Sequence, residues 1–236
     1  MSGLERIDYR DGDTALTGWL TRPAGAPRAA VVVFPTIANV TPPIERRAGM
    51  LAQAGYLAMI ADLYGRPVDS FEAAGPLAQE LRADAGAYRQ RLAAAVTALR
   101  GHAGAAGLPM AAIGYCMGGQ AALEAARDGQ DLMAAVSFHG LLDTQRPAEP
   151  GAIRARILVC HGDADPMVPR EQVLAFWQEM DRAGAHWHFH SYSGVKHGFT
   201  DLGSDARGLS AIAYDASADR QSWAAMLAFF AEIFGA

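Results

Sequence analysis

The chain has 236 residues, 51% of them apolar and 19% charged, with 25 acidic and 20 basic residues for a net charge of -5. That balance supports a sizeable core, excludes a disordered chain or a coiled coil, and, with no block of Lys and Arg, argues against nucleic acid as a partner. The length suits a single domain over residues 1–236, no apolar run nears the roughly 20 residues of a membrane span, and the opening MSGLERIDYRDGD lacks the apolar core of a secretory signal, which together predict a cytoplasmic protein with no membrane partner.

Residues 4–9 and 16–20 flank the turn signal Asp11-Gly12-Asp13 and predict an antiparallel hairpin. Residues 29–34 (AAVVVF) are continuously apolar, as in a central strand covered on both faces. Residues 36–43 form a loop, Pro43 suits the first turn of a helix over 44–54, and Gly55 caps it. The next strand is 56–61, with Asp62-Leu63-Tyr64 at its end. Residues 66–76 read as an irregular excursion and 77–100 as one helix with Gly86 as a weak point. A strand over 110–113 meets a sharp turn and an Ala-rich helix over 119–126. The strand 132–138 runs into His139, and 141–154 is loop-like. The strand 157–160 leads into the turn-rich stretch 161–169, then a helix over 170–183 stopped by Gly184. Residues 186–192 (HWHFHSY) alternate like a strand near a sheet edge, 193–210 is a long loop, and 217–234 is a closing helix. The order β-β-β-α-β-α-β-α-β-β-α-β-α predicts an α/β fold, an open and mostly parallel sheet with helices on both faces.

In such folds, sites lie beyond the carboxyl ends of the strands. There the sequence offers Thr36-Ile37, Asp62-Leu63-Tyr64, Cys116, His139, Asp165 and His197. Residues 110–120 (MAAIGYCMGGQ) carry small residues two before and two after Cys116, the pattern of a nucleophile elbow. That turn places a thiol at a helix N-terminus, where the dipole favours the thiolate. The other cysteine, Cys160, makes no metal-type pair with it, and a reducing compartment keeps such a thiol competent. His197 sits in a mobile loop bounded by Gly194 and Gly198, where core packing explains a His poorly. The loop 161–169 holds both Asp163 and Asp165, with Pro166 stiffening the backbone behind the second. The chain order Cys116, Asp165, His197 is nucleophile, acid, base, the order of the α/β-hydrolases. The oxyanion donors are then the N–H of Met117, after the nucleophile, and that of Ile37 in the first strand–helix loop. His186, His188 and His190 share one strand face but lack a carboxylate partner, so they read as structural rather than as a metal site. His139 reads as lining or structural.

Four segments resemble the dienelactone hydrolase family, the cysteine-nucleophile branch of the α/β-hydrolases. They are Gly114-Tyr115-Cys116-Met117-Gly118-Gly119, Asp62-Leu63-Tyr64, the acid loop Gly162-x-x-Asp165-x-x-Val168-Pro169, and His197-Gly198-Phe199, with further likeness around Tyr214, Trp223 and Phe229. The resemblance selects Asp165 over Asp163. It implies hydrolysis of a small ester or lactone without metal or organic cofactor, by a monomer or homodimer. It also implies a pocket to which Thr36, Tyr64, Phe199 and Trp223 contribute, with Arg82, Arg89 and Arg91 in a region that supplies pocket residues in relatives. Two positions depart from the dienelactone-cleaving members. Thr36 stands where they carry a Glu that helps form the thiolate, and Asp201 where they carry an Arg that grips a substrate carboxylate. The same fold also hosts dehalogenases, peptidases and non-enzymatic binding proteins, and these are the competing readings.

Overall fold

The computed structural model describes residues 4–235. Residues 1–3 and 236, counted in the expected domain and its N-terminal reading, lie outside the described residues. Eight strands form one sheet in the order β1-β2-β4-β3-β5-β6-β7-β8. β1 (Glu5–Asp11) and β2 (Thr14–Thr21) make the antiparallel hairpin, and β2 continues antiparallel onto β4 (Leu57–Ile60). From β4 onward the sheet is parallel: β3 (Ala30–Phe34), β5 (Met110–Tyr115), β6 (Ala134–Phe138), β7 (Arg156–Gly162) and β8 (Trp187–Tyr192). This is the α/β-hydrolase architecture, a mostly parallel sheet with helices on both faces.

The covering layers explain the apolar runs. Val32 and Phe34 of β3 face a core built with α3 (Ala85–Gly101), α4 (Met117–Arg127) and α5 (Arg170–Ala183). Val31 and Val33 face the other core, with α1 (Pro42–Gln53) and α6 (Ala216–Phe234). β3 to β6 are buried on both faces, whereas β8 at the edge alternates, with His186, His188 and His190 exposed. Among the described residues no three His, Cys, Asp or Glu side chains are grouped to hold a metal ion, and no helix is long and apolar enough to cross a membrane.

The stretch 66–100 departs from expectation. The single helix predicted over 77–100 is two helices, α2 (Phe71–Arg82) and α3. Asp84 makes the break by accepting from the N–H groups of Gly86 and Ala87, an N-cap stronger than the continuity of the Ala-rich pattern. α2 begins inside the expected excursion because Ser70 caps it, accepting from Ala73 N–H, and Pro76 is tolerated on its exposed side. α2 buries only Ala74 and Ala78.

A buried ionic network links α4 to its neighbours. Arg127, fully buried, grips Glu179 of α5 through Nε and Nη2 at 2.9 and 2.8 Å, reaches Glu124 through Nη1 at 2.9 Å, and donates to the Leu142 carbonyl at 2.7 Å. Arg89 of α3 holds the other oxygen of Glu124 at 2.8 Å. Arg89 is thus committed to structure and not to the pocket region expected for it, as is Arg91, which bonds Asp11, Thr14 and the Leu63 carbonyl.

Candidate active site

β5 ends at Tyr115 and α4 begins at Met117, so Cys116 alone makes the turn, with φ 56° and ψ -121°. A non-glycine residue held at positive φ costs of order 1–3 kcal/mol and persists only where its surroundings dictate it. Here they do. A Cβ on Gly114 would lie 1.8 Å from the Gly118 carbonyl oxygen, and one on Gly118 would lie 2.0 Å from that of Phe34. Only glycine at both positions lets the turn fold this tightly beneath the end of β3.

The segment after β3 is shaped by its own side chains. The Thr36 hydroxyl accepts from Ala38 N–H at 3.3 Å. Asn39, at φ 60°, donates from Nδ2 to Asp62 at 2.9 Å. The buried Asp62 also accepts from the N–H groups of Thr17, Tyr64 and Gly65, so its charge is met without a cation. The Tyr64 hydroxyl donates to the Ile37 carbonyl at 3.0 Å. This holds the segment after β3 beside the nucleophile turn, where the N–H groups of Ile37 and Met117 act on the Cys116 sulfur.

β7 and β8 deliver the remaining pair. Nδ1 of His197 lies 2.7 Å from Oδ2 of Asp165, whose Oδ1 accepts from Met167 N–H at 2.8 Å. Asp163 instead meets Arg170 at the surface. The His197 loop, expected to be mobile, is tied down: Ala213 N–H donates to the His197 carbonyl, Asp215 N–H to that of Phe199, Ser204 Oγ to that of Gly198, and buried Arg47 to that of Thr200. Nε2 of His197 has no hydrogen-bond partner of ordinary geometry among the described residues, and it faces the sulfur.

Burial opposes the charged form of both groups. At Cys116 the His197 charge and contact and the N–H groups of Met117 and Ile37 outweigh it, holding the thiol below its ordinary range. At His197 the sulfur and Asp165 outweigh it and push the imidazole up to about 10. Each group thus favours the charged form of the other, which biases Cys116 toward the thiolate. Iodoacetamide should alkylate Cys116 with a pH midpoint below the ~8.5 of an ordinary thiol. Cys160 is the internal control, since burial excludes reagent and pushes its thiol up to about 12. A midpoint for Cys116 at or above the ordinary value would remove that bias.

His139 has a part the sequence did not reveal. It is buried, and burial followed by the adjacent His197 charge keeps it neutral. Its Nδ1 accepts from Cys116 N–H at 3.1 Å, so Nε2 carries the proton and donates to Thr200 Oγ1 at 2.9 Å. One ring thus ties the nucleophile turn to the His197 loop. The sequence signal was only its place at the end of β6, beside β5 in the sheet.

These groups open on a cavity of about 610 Å³ lined by Thr36, Ile37, Cys116, Met117, His139 and His197, with Phe71, Ala78 and Arg82 of α2 as one wall. Three expected pocket residues are corrected. Tyr64 supports Ile37 and lines a neighbouring cavity beside Leu63 and Arg91. Phe199 is fully buried, packed edge-on to His139 and Tyr192. Trp223 lies on α6, covering Arg47 at 5.4 Å. Phe199 and Trp223 use their rings in packing, and Tyr64 uses its hydroxyl on the Ile37 carbonyl.

Residues 16–234 match the dienelactone hydrolase family. The chain belongs to that family. It is similar to the crystal structure of a dienelactone hydrolase-like promiscuous phosphotriesterase from metagenomic libraries, at 35% identity and TM-score 0.91 with 98% of both chains covered. A protein named m3DLH gives 38% identity and TM-score 0.90, again over 98% of both chains. A Bradyrhizobium sp. protein named probable 2-oxo-3-(5-oxofuran-2-ylidene)propanoate lactonase is 28% identical over 216 residues, 86% of each chain. The protein is thus a dienelactone hydrolase-family hydrolase of esters, lactones or related small substrates. Within this family member, Thr36 is a turn-shaping residue, and Asp201 is engaged by Arg207, Nη2 to Oδ2 at 2.5 Å.

Proposed function

We propose that the protein hydrolyses carboxylic esters or lactones through a thioacyl-enzyme formed on Cys116. The observation that carries this is the convergence on one sulfur of two backbone N–H donors, from Ile37 and Met117, and of the His197 imidazole backed by Asp165. The thiolate attacks the carbonyl carbon and a C–S bond forms. The two N–H groups hold the oxyanion. As the C–O bond breaks, the leaving alkoxide takes the His197 proton. Neutral His197, oriented by Asp165, then takes a proton from water as its oxygen attacks the thioester. Collapse releases the carboxylic acid and restores the thiolate beside the imidazolium. No step requires a metal or an organic cofactor. In this reading one catalytic domain spans residues 1–236 and acts as a monomer or homodimer in a reducing, cytoplasmic compartment, consistent with two free cysteines.

The test is a panel of 4-nitrophenyl esters, small lactones including dienelactone, and an aryl phosphotriester, run with wild type and Cys116→Ala. The phosphotriester is included because the relative at 35% identity is named a phosphotriesterase and the same N–H pair can hold a phosphoryl oxygen. Ester turnover lost in Cys116→Ala is the expected outcome. Ester turnover retained by that variant, or none in wild type, overturns the reading.

A further inference from the structure

We infer that Asp201 is a specificity-determining residue that masks Arg207, so that the cavity takes uncharged apolar esters in preference to carboxylate-bearing ones. This rests on the ester-hydrolase reading above. Two guanidinium groups stand on the cavity wall, those of Arg82 and Arg207, and each would ordinarily recruit an anion. Arg207 is not free to do so. Its Nη2 lies 2.5 Å from Oδ2 of Asp201, and its guanidinium carbon lies 5.1 Å from the centre of the Phe71 ring. Asp201 is fixed in turn, its Oδ1 accepting from Gly203 N–H at 2.9 Å. Arg207 thus bridges the His197 loop to the start of α2 as a charge-neutral strap.

The geometry makes the masking effective. The Asp201 side chain is 11% exposed and that of Arg207 33%, so the pair is only partly screened by water. A substrate carboxylate reaching for Arg207 must come close to a second carboxylate that already occupies it. In a partly desolvated cavity that like-charge approach costs about tenfold or more in binding. Arg82, by contrast, makes no ion pair among the described residues, and Arg207 is the one of the two that a carboxylate occupies. Apolar side chains stand at the opening: Phe71, Met167 and Leu209 line the cavity and are 38%, 45% and 46% exposed. Exposed apolar side chains gathered at one opening mark a surface for an apolar ligand. The substrate class is therefore an ester whose acyl or alkoxy body is apolar and uncharged.

The experiment compares two substrates that differ by one group, 4-nitrophenyl valerate and 4-nitrophenyl hemiglutarate. The kcat/KM ratio is measured for wild type, Asp201→Asn, Arg207→Met and the double variant. Asn keeps an acceptor for Gly203 N–H while removing the charge, and melting temperature checks the fold. Wild type should favour valerate. Asp201→Asn should raise the hemiglutarate-to-valerate ratio about tenfold, and the double variant should lose that gain. Arg207→Met alone bares Asp201 and should lower the ratio, which keeps the inference testable if Asp201→Asn does not fold. A wild-type preference for hemiglutarate, an unchanged ratio in Asp201→Asn, or a raised ratio in Arg207→Met overturns it. If wild type turns over neither ester, the hydrolase reading fails, and the masking is read from protection of Cys116 against iodoacetamide by monomethyl glutarate. Protection in Asp201→Asn but not in wild type supports the mask, and equal protection overturns it.

Discussion

His197→Ala is expected to lower kcat/KM on 4-nitrophenyl valerate by at least about four orders of magnitude, because in the proposed mechanism it removes the group that protonates the leaving oxygen and activates water. A second effect should accompany the first. After burial, which favours the neutral thiol, the largest influence on Cys116 is the His197 charge, and it lowers the pKa. Without it the thiol returns to the ordinary range or above, and the alkylation midpoint moves to higher pH. Both readouts come from the same protein sample. A variant that loses turnover yet still alkylates readily at neutral pH would show that the helix N-terminus and the two N–H groups suffice to hold the thiolate. His197 would then act on protons alone.

Arg127→Met should cost roughly 3–5 kcal/mol of stability, since it leaves two buried carboxylates with fewer partners. Glu124 retains Arg89, but Glu179 keeps only the Ala148 N–H among its described hydrogen-bond partners. For a chain of this size the loss corresponds to a fall of roughly 6–20 °C in Tm. Thermal melts of wild type and variant read it directly. A fall of under about 2 °C would mean that the network is replaceable by apolar packing, as some buried ion pairs are. Arg127→Met with Glu179→Leu and Glu124→Leu asks that question from the other side, and should recover part of the loss.

The inner parallel strands were legible as continuous apolar runs and the edge strand β8 by its alternation, with the candidate site residues following their carboxyl ends. Since β3, β5, β6, β7 and β8 are consecutive neighbours in the sheet, residues spaced from Ile37 to His197 had to meet. Local pattern was enough there. It failed where side chains far apart in sequence decide the outcome. The break at Asp84 rests on a cap that competes with a good helical run. The Arg127 network joins residues of α4 and α5, and no spacing rule predicts which buried Arg meets which Glu. His139 read as lining or structural and is both, but its two partners, Cys116 N–H and Thr200 Oγ1, come from different segments that no local pattern pairs. Phe199 and Trp223 looked like pocket because aromatic residues near a site read alike whether they face a ligand or the core. Asp201 was visible as a departure of charge, but its partner Arg207 was visible only in the folded chain.

The thiol and its cavity share a dependence on one late segment of the chain. The backbone donors and the elbow of Cys116 are drawn from residues 34–138, whereas the group whose charge most favours the thiolate is His197, far later in the chain. In the folded chain the segment that supplies the charge lowering the Cys116 pKa most also supplies part of the cavity wall, through His197, Gly198, Asp201 and Arg207, so one segment both activates the thiol and encloses it.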